Sequence, residues 1–203
     1  MNQEKKQKRV ERAPEKIEES LSYTVEVRDK EGRVIHRVSA PSRSYVEQWN
    51  QIVCGHVGQH SVPCLDTNGV ESSAANQEEA LDVTAGIGDV THGIRIGKGT
   101  TAVAIDDYAL ETPLGEGTGT DEFNHQVVTF TEPSVVGSTC SFALRRTMIN
   151  ISGATISDIK EIGCYVRISA SRYAMGFRDV LPSAVYVPHS GSITVTYTIK
   201  VTV

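Results

Sequence analysis

The amino-acid pattern predicts a mainly β protein: an antiparallel β-sandwich or jelly-roll-like domain with an N-terminal extended arm, a β-hairpin and one short helix. Three observations predict it. First, Ser192 to Val203 alternates strictly, with Ile193, Val195, Tyr197, Ile199, Val201 and Val203 on one side and Thr194, Thr196, Thr198, Lys200 and Thr202 on the other. Period-two alternation means one face on a core and one toward water. Second, from Gly86 onward β-like runs recur between Gly- and Pro-rich turns, the spacing of a sandwich. Third, helical periodicity is confined to one short stretch after Pro41 and to single turns.

Composition bounds the function classes. The chain has 203 residues, 39% of them hydrophobic and 22% charged, ordinary for a globular protein. A net charge of −5 argues against general nucleic-acid affinity. No apolar run is long enough to span a membrane, and the first residues are too polar for a secretory signal. A cytoplasmic origin is therefore expected, with the four cysteines as free thiols.

Three segments are expected: an arm over residues 1–19, a hairpin, helix and loop-rich subdomain over 20–85, and a β-sandwich domain over 86–203. The arm carries Lys5, Lys6, Lys8, Arg9, Arg12 and Lys16 among glutamates, with Val10 and Ile17 its only sizeable apolar residues after Met1. It cannot bury a core. The main reading is a solvated tail; the sharper one is an arm that orders across a neighbouring subunit.

Ser20–Arg28 and Arg33–Ser39 alternate around Asp29-Lys30-Glu31-Gly32, predicting a hairpin with Gly32 at positive φ. Ser42 is expected to cap a helix with Tyr45, Trp49, Ile52 and Val53 on one face, ended by Gly55. Asp66-Thr67-Asn68-Gly69 reads as a tight turn between short strands. Ser72–Ala80 reads as an exposed loop, with one helical turn over Asn76–Leu81. The strands expected next are Val90–Ile96, Ala102–Ile105, Asn124–Thr131, Ser138–Asn150, Ile156–Ile168, Tyr173–Leu181 and Ser192–Val203. Hairpin turns are expected at Gly97-Lys98-Gly99 and Ser152-Gly153. Asp106 is expected to open a short helical turn, and Pro182 to end a strand because proline cannot donate to a ladder.

The chemistry-bearing candidates are few. Cys54, His56, His60 and Cys64 supply zinc ligand types within eleven residues, at a spacing unlike common structural zinc sites. A loop, with Cys54 as a small apolar residue, is the main reading and zinc the minor one. No catalytic residue, cofactor or metal is assigned. Gly93–Thr100 resembles a phosphate loop but has the wrong glycine spacing, and Gly99 follows Lys98 where Ser or Thr is required. Cys140 and Cys164 fall within strands and are expected to be buried and inert. His36, His92, His125 and His189 lack a nucleophile motif nearby. Asp106 with Asp107, or Asp121 with Glu122, could ligate calcium, although adjacent acids more often form solvated loop charge.

Arg145-Arg146-Thr147-Met148-Ile149-Asn150-Ile151-Ser152-Gly153-Ala154-Thr155-Ile156 is followed by Lys160-Glu161-Ile162-Gly163-Cys164-Tyr165-Val166. Then come Arg178-Asp179-Val180-Leu181-Pro182, Val187-Pro188 and the Thr-rich terminal strand. Together with Gly97–Tyr108, these runs resemble a family of tailed-bacteriophage virion proteins over roughly residues 86–203. The resemblance implies a non-enzymatic structural protein of the virion, on the capsid as a decoration protein or at the neck or tail, made in the host cytoplasm. Its implied partners are copies of itself, as a trimer or ring, and other phage structural proteins such as the major capsid, portal or tail proteins. A receptor- or glycan-binding module of the tail or fibre apparatus, using Gly115–Glu122 as a rim loop, is the alternative.

Overall fold

The computed structural model describes residues 18–42, 44–74 and 80–203. The expected arm lies outside the described residues except for Glu18 and Glu19, which already belong to the first strand. Most of the helical turn expected over Asn76–Leu81 lies outside them too.

The elements are β1 (Glu18–Arg28), β2 (Val34–Ser42), α1 (Glu47–Gly58), β3 (Val62–Leu65), β4 (Glu71–Ala74), β5 (Gly93–Gly97), β6 (Gly115–Glu116), β7 (Glu122–His125), β8 (Thr129–Phe130), β9 (Ser134–Val136), β10 (Thr139–Ile149), β11 (Ile156–Ser169), β12 (Arg172–Val187) and β13 (Ser192–Thr202). The mainly β, sandwich-like class expected from the sequence is what forms. A large sheet runs in the order β2-β1-β13-β10-β7-β6, with β8 and β9 also on β10, and a small sheet runs β12-β11-β5. Their facing sides close one core. Val25, Leu144, Met148, Ile193, Val195 and Tyr197 come from the large sheet, and Ile94, Ile162, Cys164, Phe177 and Val185 from the small one.

The hairpin forms as expected. Gly32 takes φ +81°, and the Asp29 carboxylate accepts the N–H groups of Glu31 and Arg33. Its first strand joins the large sheet: β1 pairs with β13 along its whole length, and Leu21, Tyr23, Val25 and Val27 enter the shared core. The terminal strand is therefore interior, between β1 and β10, and not the exposed edge that a last strand can become. Thr194, expected to meet water, is buried and hydrogen-bonds Thr147 at 2.9 Å.

Other expectations are corrected by longer-range partners. Ser42 ends β2 instead of capping the helix; Val46 precedes α1 with no side-chain cap, and the helix runs past Gly55 to a left-handed Gln59. Ala102–Ile105 is not a strand, and Gly97–Gly99 is not a hairpin, since β5 pairs with β11 instead. Ser152–Gly153 is not a hairpin either: β10 lies in the large sheet and β11 in the small one. The chain crosses between sheets there, and crosses back at Pro188–Gly191. Buried Asn150 ties the two crossings, its N–H donating to Gly191 O and its side-chain amide to Ala154 O and Val187 O. Pro182 does not end β12. Val180 pairs with Glu161 and Val185 with Ile159, so Pro182 sits in the bulge between them, where no ladder donor is required.

The turn at Asp66–Gly69 joins β3 and β4 as expected, with Gly69 at φ +72°. Asp66 is buried and accepts from Asn68, Val70 and Arg172, which anchors this small sheet to β12. Behind it Ile52, Cys64, Val166, Ile168 and Ala174 form a satellite core.

Candidate functional site

Two places depart from ordinary sandwich packing. The first is on the outer side of the small sheet. Alternate residues of β11, Glu161, Gly163 and Tyr165, face away from the main core, and the segment 97–112 folds over them. Glu161 is fully buried. Its carboxylate accepts the N–H groups of Gly99 (3.2 Å), Glu111 (2.8 Å) and Thr112 (3.3 Å), and the Nε–H of Arg178 at 2.6 Å. Arg178 on β12 also donates to Asp107 at 2.8 Å and to Thr101 O at 3.1 Å. Burial works against its charge, but the bonds to Glu161 and Asp107 outweigh it and raise its pKa. Tyr165 Oη accepts the Leu110 N–H at 2.9 Å.

The glycines of this segment have a steric cause. A Cβ on Gly97 would stand 2.5 Å from Glu161 Oε2 and 2.6 Å from Thr112 O; one on Gly99 would stand 2.6 Å from the same carboxylate oxygen. A cleft of about 390 Å³ remains beside the clasp, lined by Thr101, Asp106, Asp107, Tyr108, Glu111 and Arg178 among others. Its carboxylates are largely committed: Asp107 to Arg178 and the Ala104 N–H, Glu111 to the N–H groups of Thr100 and Thr101. The arrangement fixes a loop and offers a polar mouth. It aligns no nucleophile with a base.

Arg178 and Asp179, adjacent in sequence, point to opposite sides of β12. Asp179 is buried on the other side, where Tyr197 Oη donates to it at 3.1 Å and Ser42 and Ser44 lie within hydrogen-bonding reach. Burial without a cation pushes its pKa up to about 6, against the pull of those hydroxyls. Arg146, on the inward side of β10, is fully buried. It donates to the carbonyls of Gln126, Ile94, Gly86 and Asp89 at 2.5–3.2 Å, pinning residues 86–94. Burial, and then neighbouring Arg95, bring its pKa down to about 10. His125 is buried beside Glu116, with Nδ1 2.8 Å from the carboxylate, and burial pushes its pKa down to about 4.

The second place is the open end of the large sheet. Here the inward face runs on beyond the small sheet. Cys140 pairs with Val135 on one side and with Val201 on the other, so all three share that face. Phe130, opposite Leu144, joins them, and Val203 follows by the alternation of β13. Their exposures are 72% for Val135, 43% for Val201, 58% for Val203 and 46% for Phe130, against 0% for Val195 and Tyr197 on the covered part of the same face. Cys140, expected to be buried, is exposed for this reason. Where shelf meets core, Trp49, Phe130, Phe142, Phe177 and Ile199 line most of a largely apolar hollow of about 230 Å³.

No protein-family model, curated protein or solved structure matches the chain.

The remaining sequence candidates are dispersed. Cys54 is exposed on α1, His60 lies just beyond its C-terminus, and Cys64 is buried in the satellite core. Among the described residues no group of three or more His, Cys, Asp or Glu side chains is placed to hold a metal ion, the Asp106–Asp107 and Asp121–Glu122 pairs included. Asp121 instead pairs with Lys98 at 2.6 Å, and Glu122 accepts the Gly119 N–H at 2.7 Å, closing the rim loop on itself. His92 is stacked on Tyr173 near Asp82 and Asp89, and His189 accepts the Gly153 N–H. Cys164 is buried, which drives its thiol pKa far up. Sequence reasoning missed Arg146 and the Asp179 cluster. For Arg146 a signal existed: it occupies the inward register of Phe142, Leu144 and Met148, where a charge has to find buried partners.

Proposed function

We propose that the chain is a non-enzymatic structural component of a tailed-phage virion, assembling through subunit contacts on the capsid or at the neck or tail. The observation that carries the reading is the uncovered shelf. Val135, Cys140, Val201, Val203 and Phe130 continue the core face of a sheet into solvent, and contiguous apolar surface of this kind marks contact sites. Closed rings or trimers of copies are the economical way to cover such a face, since each copy both offers and receives a surface.

The residues that resemble the phage family also support a structural role. Glu161, Gly163 and Tyr165 seat the 97–112 segment, Arg178 clasps it, and Asn150 ties the sheet crossings. These are folding tasks. Mass spectrometry and electron microscopy of purified particles test the assignment. The protein is expected at a fixed copy number on a defined part of the particle; its absence from intact particles overturns the reading.

A further inference from the structure

We infer that the shelf is the seat for residues 1–17 of a neighbouring copy of this chain, an inference that rests on the structural role proposed above and names the partner of that surface. The position of the segment is the first reason. Glu18 opens β1 opposite Thr202, so residues 1–17 join the body at the very end of the sheet where Val201 and Val203 are uncovered. β1 runs from that end into the sheet, so the axis of β1, extended back past Glu18, leads off the body beyond Val201 and Val203 and toward a neighbouring copy.

Charge is the second reason. Residues 1–17 hold six Lys and Arg against three Glu, which leaves 14 cations against 22 anions in residues 18–203. A segment of net +3 thus meets a body of net −8, which favours encounter between copies at moderate salt. Size is the third. Val10, Ala13 and Ile17 give a few small to medium apolar side chains, suited to a shallow face and to the hollow beside Trp49 and Phe142, and too few to form a core of their own.

Cys140 stands on the shelf, so the protein carries its own probe. The experiment uses the full chain with Cys54→Ser, which leaves Cys140 as the exposed thiol beside buried Cys64 and Cys164. Two readings are taken. The rate of reaction of Cys140 with Ellman's reagent is compared between this chain and one that also carries Val10→Asp and Ile17→Asp. The expected result is a rate at least tenfold faster in the latter. In a separate chain carrying Cys54→Ser and Ile17→Cys, mild oxidation is expected to join position 17 of one copy to Cys140 of another, giving linked dimers or ladders on a non-reducing gel. A link formed within single chains overturns the inference, as does equal reactivity with and without the two aspartates. If the chain still self-associates while Cys140 stays fully reactive, assembly stands and the segment is not its agent. If it is monomeric with Cys140 reactive, the shelf fails as a contact surface altogether.

Discussion

The two sides of this sandwich solve opposite problems. On the outer side of the small sheet, charged groups are taken out of water and every one is given partners: Glu161 accepts three backbone N–H groups and Arg178, and Arg178 reaches Asp107 as well. On the inner side of the large sheet, apolar groups are left in water where the small sheet stops. The first region is complete within one chain. The second is incomplete within one chain. A polar mouth built from satisfied groups holds a loop in place, whereas unsatisfied apolar area asks for a partner. The difference assigns stability to the clasp and assembly to the shelf.

The sharpest way to break that division is Glu161→Gln. It strips the charge facing buried Arg178 and turns an acceptor into a group that cannot serve all three N–H donors. Breaking a buried ion pair from one side costs about 3–5 kcal/mol, read as a shift in the urea midpoint with unchanged slope. A loss below about 1 kcal/mol would show that the clasp does not hold the loop. Gly97→Ala attacks the same contact sterically. Its Cβ would press on Glu161 Oε2 and Thr112 O, an overpacking cost of about 1–3 kcal/mol in the same assay.

The neighbouring acid behaves in the opposite sense. Asp179 has a folded pKa of about 6, above its ordinary value, so its contribution is full at low pH and is lost as pH rises from about 4 to about 6. That loss is of order 3 kcal/mol. His125 is depressed to about 4, so the unfolded chain takes up its proton first and stability falls as pH drops from about 6.5 to about 4. The two slopes oppose each other across one window. Asp179→Asn is therefore expected to stabilise the protein by about 1–2 kcal/mol at pH 7.5 and to leave a steeper acid loss below pH 6, measured by thermal unfolding at several pH values. An unchanged pH profile would mean that Asp179 is solvated in the fold. The smallest effect on the stability of the single folded chain belongs to the shelf: at concentrations too low for assembly, Val201→Asp places a charge on an exposed position and should change stability by no more than about 0.5 kcal/mol.

What was legible in the sequence was local. The β13 strand, the Gly32 turn and the Asp66–Gly69 turn depend on neighbours a few residues away, and each formed as expected, whereas the burial of Thr194 and the exposure of Val201 on β13 were set by distant partners. The sheet crossings were not legible, because Ser152–Gly153 looks like any tight turn until Asn150 is seen to bond residues 37 and 41 positions further along the chain. The Gly97–Gly99 turn misled for the same reason: its glycines answer to Glu161, more than 60 residues away. The shelf was half legible. Alternation put Val201 on the core face of its strand and Cys140 was expected to be buried within its own, but no local pattern tells how far the opposing sheet extends.

Sedimentation of the full chain beside its Val201→Asp, Val135→Asp counterpart tests the central claim most directly. The account predicts a defined oligomer for the unaltered chain and a folded monomer for the variant, whose unfolding no longer depends on protein concentration. A wild-type chain that stays monomeric at high concentration, or a variant that assembles as well as wild type, contradicts it.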